Sequence, residues 1–220
     1  MPSHGTWTTR GFDDFSRGAC GNGGQNLYVS RAGVLQRIHL HDFNQDGYFD
    51  LVFCNSQNHL ESVPAYVYTD VLGKTPDRRI ELPSDGALSG VVADLNGDGF
   101  DDLVLGCHMN GVSEVGLNSL VYFGSPEGWS ERHQHRLPTP QCTCVAAGDF
   151  NGDHRMELAF LCDGRVRIFP QSSLGFEPKR YVDLDITAVQ ITAHDLDRDG
   201  YADLICRSRD GSVTIYWGGT

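Results

Sequence analysis

No stretch of this 220-residue chain approaches the roughly 20 consecutive apolar residues that a membrane-crossing helix requires. Its opening, MPSHGTWTTR, has no charged-then-apolar leader, so no secretion signal is expected within it. CxxC spacing is missing among its 7 cysteines (Cys20, Cys54, Cys107, Cys142, Cys144, Cys162 and Cys206), which argues against a zinc ribbon or a thioredoxin-type site. GxSxG, HExxH, P-loop and dinucleotide fingerprints are all absent, so no enzyme class announces itself. Basic residues are outnumbered, 17 Lys and Arg against 29 Asp and Glu, and a net charge of −12 disfavours a nucleic-acid partner.

What the chain does contain is a repeated acidic loop. Four nine-residue segments read DFNQDGYFD (Asp42 to Asp50), DLNGDGFDD (Asp94 to Asp102), DFNGDHRME (Asp149 to Glu157) and DLDRDGYAD (Asp195 to Asp203). Loop positions 1, 3, 5 and 9 are always Asp, Asn or Glu, and position 2 is always Phe or Leu. The oxygen-bearing side chains are Asp42, Asn44, Asp46 and Asp50; Asp94, Asn96, Asp98 and Asp102; Asp149, Asn151, Asp153 and Glu157; Asp195, Asp197, Asp199 and Asp203.

Such a loop can wrap its oxygens about one point, with a backbone carbonyl added from position 7. The result suits calcium, which takes about six to eight oxygens at roughly 2.3–2.6 Å; magnesium wants a stricter octahedron. Zinc would call for Cys or His, and the four ligand sets supply neither. An EF-hand would need an acid at position 12 and helical flanks. Position 12 holds Phe53, Leu105, Phe160 and Cys206. One divalent ion per loop would move the net charge of −12 to −4, so the acidity reads as unfilled sites. The third loop departs from the rest, with His154 where the others have Gly47, Gly99 and Gly200, and Glu157 at position 9. A non-glycine residue at a sharp turn is strained, so the third site is expected to be the weakest.

The loops recur at intervals of 52, 55 and 46 residues, in the range of propeller blades. Each is preceded by an extended apolar segment (LQRIHLHDF, SGVVADL, CTCVAAGDF, VQITAHDL) and followed by another (DLVFC, DLVLGC, ELAFLC, DLIC). Third strands follow at residues 64–70, 118–125, 164–171 and 211–219, and fourth strands at DRRIEL, RHQHRL and KRYVDL. The expected fold is all-β, a β-propeller of four-stranded antiparallel blades, four to the chain. NLYVS ends 12 residues before Asp42, the spacing of a fourth strand, and is expected to complete the last blade and close the ring. The spacing equally fits half of an eight-bladed ring built by a two-fold dimer. Residues 1–26, with the Gly-rich GACGNGG, form an N-terminal arm ahead of a propeller domain at 27–220.

Other residues carry less. His39 and His41, and His133 and His135, share strand faces but lack a third ligand. Trp129 and Trp217 could stack on a sugar, but packing is the commoner role. The cysteines read as small buried hydrophobes. Folding the third hairpin with Asp149 facing Glu157 places Cys144 opposite Cys162, where a cross-strand disulfide would fit.

The loops, their period and the YFGSPEG stretch (Tyr122 to Gly128) resemble the FG-GAP/VCBS repeats of integrin α-subunit propellers and many secreted bacterial proteins. The likeness covers residues 27–220. It implies calcium ligands at positions 1, 3, 5 and 9, together with the carbonyls of Tyr48, Phe100, Arg155 and Tyr201. It also implies up to four structural calcium ions and no catalysis. The corresponding function is a secreted binding or adhesion module for a carbohydrate or an extracellular protein. The alternatives are an accessory domain of a secreted polysaccharide-degrading enzyme, or a shortened or engineered propeller with no ligand of its own. The family more often closes with seven blades.

Overall fold

The computed structural model describes residues 27–29, 35–41, 50–57, 63–69, 79–109 and 116–219. Its regular structure is almost wholly antiparallel β. The first sheet comprises β1 (Leu27–Val29), β2 (Leu35–His41), β3 (Asp50–Gln57), β4 (Ala65–Tyr68) and β5 (Arg79–Leu82), paired in that order. The second contains β6 (Ala87–Ala93), β7 (Asp102–Cys107), β8 (Asn118–Tyr122) and β9 (Gln134–Pro138). In the third, β10 (Cys144–Gly148), β11 (Glu157–Cys162) and β12 (Arg165–Phe169) are joined by β15 (Val182–Leu184). Between those last two lies a small hairpin of β13 (Gln171–Ser172) and β14 (Gly175–Phe176). The fourth sheet is β16 (Gln190–His194), β17 (Asp203–Arg207) and β18 (Val213–Tyr216).

The strand and loop boundaries read from the sequence agree with this order, because period-2 apolar runs between turn residues leave little choice. The inner strands of the second and third sheets are apolar on both faces for a physical reason: each of these two sheets is packed between neighbours. Leu103, Leu105 and Cys107 of β7 face the first sheet, where they meet Val52, Cys54, Ala65 and Val67. Val104 and Val121 of the second sheet pack against Leu158, Phe160, Cys162 and Phe169 of the third. The opposite face of β11, Ala159 and Leu161, packs with Ile191, Leu204 and Cys206 of the fourth. Three apolar interfaces therefore join four successive sheets. Each fully buried Leu, Val or Phe in them contributes about 1.5–3 kcal/mol.

Two expectations are corrected. β1 pairs with β2, through Leu27 opposite Arg37 and Val29 opposite Leu35, and not with the last sheet. A partner a few residues away costs far less loop-closure entropy than one at the other end of the chain. Among the described residues the fourth sheet has three strands, with β18 at its edge. The second correction concerns the third hairpin, where Cys144 lies opposite Leu161 and Gly148 opposite Glu157. That register differs by one residue from the one expected, and a one-residue slip sends a side chain to the other face. Cys144 accordingly faces the fourth sheet and Cys162 the second, so no disulfide joins them. Cys54, Cys107, Cys142, Cys144, Cys162 and Cys206 are all free and buried, as small hydrophobes would be. Cys20 and the arm at 1–26 lie outside the described residues.

Candidate metal centres

Each described loop closes the turn between the first two strands of its sheet, and its backbone is held by its own acids. In the second loop, Gly97 N–H donates to Asp94 Oδ1 at 2.8 Å and Gly99 N–H to Asp94 Oδ2 at 2.9 Å. The third repeats this with Gly152 and His154 donating to Asp149 at 2.6 and 2.8 Å. In the fourth, Asp199 and Gly200 donate to Asp195 at 3.2 and 3.1 Å. The position-5 acids Asp98, Asp153 and Asp199 accept from the amides of Phe100, Arg155 and Tyr201 at 2.9, 3.0 and 2.9 Å. Position 3 works likewise: Asn96, Asn151 and Asp197 accept the amides of Asp98, Asp153 and Asp199. These nested Asx turns gather the acids on the inside of the loop.

The position-9 acids anchor the loops to the core. Asp102, Glu157 and Asp203 are only 0, 2 and 1% exposed. Each accepts the position-2 amide, from Leu95, Phe150 and Leu196 at 2.9, 2.8 and 2.9 Å. The other oxygen of Asp102 takes the Gly124 amide at 2.7 Å, and that of Asp203 takes Gly218 at 3.0 Å. A Cβ on Gly124 would overlap the Asp101 carbonyl and stand 2.9 Å from Phe100 Cβ, so a glycine is required at this approach. The third sheet has Gln171 at the equivalent place, and Glu157 reaches instead to Asn151 Nδ2 at 2.8 Å. Burial pushes the Asp102 and Glu157 carboxyls up to about 6, and the neighbouring acids of each loop add to the rise.

Ligand oxygens from Asp149, Asp153 and Glu157 lie within 4.8 Å of one another, as do those of Asp195, Asp197 and Asp203. Among the described residues the acids of the second loop, Asp94, Asp98 and Asp102, form no group this close, and Asp199 falls outside the fourth loop's group. An all-oxygen set at a solvent-facing turn fits a hard cation. His154 does not join it, since its ring is almost fully exposed and its Nδ1 is 3.9 Å from Asp149 Oδ2. In the first loop, Asp42, Asn44, Asp46 and Tyr48 lie outside the described residues, while Asp50 is buried.

The sequence showed the need for a left-handed residue at position 6, where Gly99, His154 and Gly200 have φ of 88°, 64° and 95°. It did not show the same need at position 4, where Gly97, Gly152 and Arg198 have φ of 75°, 75° and 65°. Loops three and four thus each hold one non-glycine residue in the left-handed region, and the strain assigned to His154 has a counterpart at Arg198. Gly124 and Gly218 were also missed; their signal was a glycine two residues past the third strand of the second and fourth sheets.

The other candidates have structural surroundings. Trp129 is partly buried on the interface between the first two sheets and donates its Nε1–H to the Asp101 carbonyl at 2.7 Å. Trp217 is 60% exposed. His133 ends a 3-10 turn (Glu131–His133) and His135 sits on β9, and neither joins a metal-type cluster. The side chains of His39 and His41 lie outside the described ones.

The FG-GAP-like repeat profile matches residues 42–105 and 149–206, together more than half of the chain. The chain belongs to the FG-GAP-like repeat family. A search of curated proteins returned no match. Solved structures similar to this FG-GAP-like chain include BBS1N in complex with ARL6DN, soaked with mercury (15% identity, 82% of this chain and 52% of that one, TM-score 0.48). Another is the V. cholerae biofilm matrix protein Bap1 (17% identity, 80% of this chain and 29% of that one, TM-score 0.42). This chain thus spans about half of the first and under a third of the second.

Proposed function

We propose that this FG-GAP-like chain is a calcium-binding, non-catalytic β-propeller segment that serves as a secreted binding or adhesion module. The observation carrying the reading is the convergence of three acids at each of two matched turns, Asp149, Asp153 and Glu157, and Asp195, Asp197 and Asp203. Without a cation these like charges oppose the turn. Binding to the native state alone adds about 2.7 kcal/mol per site at a hundredfold excess over Kd. The ions act as structural clamps, with the Phe100, Arg155 and Tyr201 carbonyls completing the oxygen set. Millimolar extracellular calcium would suffice for such low-affinity modules, which supports an extracellular setting. No described helix is long and apolar enough to cross a membrane. The ligand is a carbohydrate or an extracellular protein.

Calorimetric titration of the chelator-treated protein with calcium tests this reading. We expect more than one ion bound, and a thermal upshift that magnesium at equal concentration reproduces only in part. No heat and no upshift would overturn it. A glycan array run with calcium and with chelator then asks for the ligand: calcium-dependent hits support the module, while silence favours an accessory domain without a ligand of its own.

A further inference from the structure

Loops three and four touch each other, and the contact is made by atoms outside the ligand set. Ala202, at position 8 of the fourth loop, donates its N–H to the Asp149 carbonyl at 2.7 Å. Gly219, beyond β18, donates to the Phe150 carbonyl at 3.0 Å. The ring of Tyr201 lies so close to Gly152 that a Cβ there would overlap it. A Cβ on Gly148 would stand 2.6 Å from that of Ala202. The opening turn of loop three is therefore seated directly on the closing turn of loop four. Loop two is tied to the third repeat differently, by the side chain of Gln171, which donates to the Leu95 carbonyl at 2.9 Å.

We propose that the cation sites of loops three and four are thermodynamically coupled, with Tyr201 and Gly152 as the joint. The proposal rests on the calcium reading above. Tyr201 stands at position 7, whose carbonyl belongs to the oxygen set of loop four. Fixing that carbonyl also fixes the ring attached to the same residue and the Ala202 amide that follows it. Those two groups hold Gly152 and Asp149, and Gly152 N–H in turn donates to Asp149 Oδ1 at 2.6 Å. Ordering loop four thereby orders the position-1 carboxylate of loop three before an ion arrives there. The second ion then meets a loop whose conformational entropy is already spent. Linkage makes the effect reciprocal, so an ion in loop three strengthens loop four by the same factor. Tyr201 acts on loop three as a positioning residue, since its side chain supplies no ligand to either site.

The test is a calcium titration of the full chain followed by amide NMR, with Gly99, Gly152 and Gly200 reporting on loops two, three and four. Asp199→Asn weakens loop four while keeping the oxygen that accepts the Tyr201 amide. We expect the Gly200 midpoint to rise most and the Gly152 midpoint to rise about fivefold or more, within the usual range of coupling. Gly99 should hold its midpoint and report an intact fold. Tyr201→Ala retains every ligand and should itself raise the Gly152 midpoint; in its presence Asp199→Asn should add little at Gly152, which closes a double-mutant cycle. An unchanged Gly152 midpoint in Asp199→Asn overturns the coupling, as does an equal shift with and without the Tyr201 ring. If no amide of the unmodified chain responds to calcium, the calcium reading itself fails, and the coupling falls with it.

Discussion

At the scale of single residues, the site is governed by two carboxyls that belong half to the core and half to the loop. Asp102 and Glu157 are buried, receive backbone N–H groups, and have their pKa raised to about 6 because desolvation outweighs those hydrogen bonds. Their ordinary values, 3.8 for the aspartate and 4.5 for the glutamate, apply to the unfolded chain. Between the unfolded and folded pKa the native state binds more protons than the unfolded one. The stabilising share of these acids is complete below the unfolded value and is lost as pH rises through 6. The chelated protein should therefore melt at a higher temperature at pH 5 than at pH 7. With calcium present the trend should reverse, because protons compete with the ion for the same oxygens. Thermal melts at both pH values, with calcium and with chelator, check both signs.

At the scale of elements, loops and strands support one another unevenly. β12 is fastened by Arg167, which pairs with Asp183 through Nε–Oδ1 at 2.7 Å and Nη2–Oδ2 at 2.8 Å. The same guanidinium donates to the Pro138 carbonyl at 2.7 Å and stacks on Tyr181 at 3.9 Å. It thus bridges the second and third sheets as well as β12 and β15. Arg167→Ala should cost about 2 kcal/mol in a denaturant melt, since a planar, two-pronged and mostly buried contact is lost together with a backbone partner. Arg167→Lys should recover less than half of that.

The sequence made most of this level legible. Strand order within the second and third sheets, and of the three strands described in the fourth, followed from apolar runs and turn residues, and the acidic turn positions of loops two to four followed from spacing alone. It could not show the register of the third hairpin. Cys144 opposite Leu161 and Cys144 opposite Cys162 are equally compatible with the local pattern, because β10 and β11 are apolar on both faces. A strand buried on both sides carries no alternation to fix its register.

At the scale of the whole molecule, burial is graded along the row of sheets. Every residue of β7 and β11 is buried, whereas β18 has an exposed edge and Val213 and Trp217 are 58 and 60% exposed. The last sheet is covered on the side facing the third, through Ile191, Leu204 and Cys206. Stability should follow that gradient. In hydrogen exchange the amides of β7 and β11 should exchange slowest and those of β16 and β18 fastest, by mass spectrometry of the corresponding peptides. Uniform protection across all four sheets would contradict the gradient.

The sequence by itself determined the repeat, the all-β class and the places of the acidic turns, because these depend on local periodicity and on oxygen-bearing side chains at fixed offsets. Tertiary structure alone decided which strand β1 joins, which face each cysteine takes, and that Tyr201 of one loop rests on Gly152 of another. Those outcomes depend on competition between distant partners of similar local character, and loop-closure entropy and close packing choose among them.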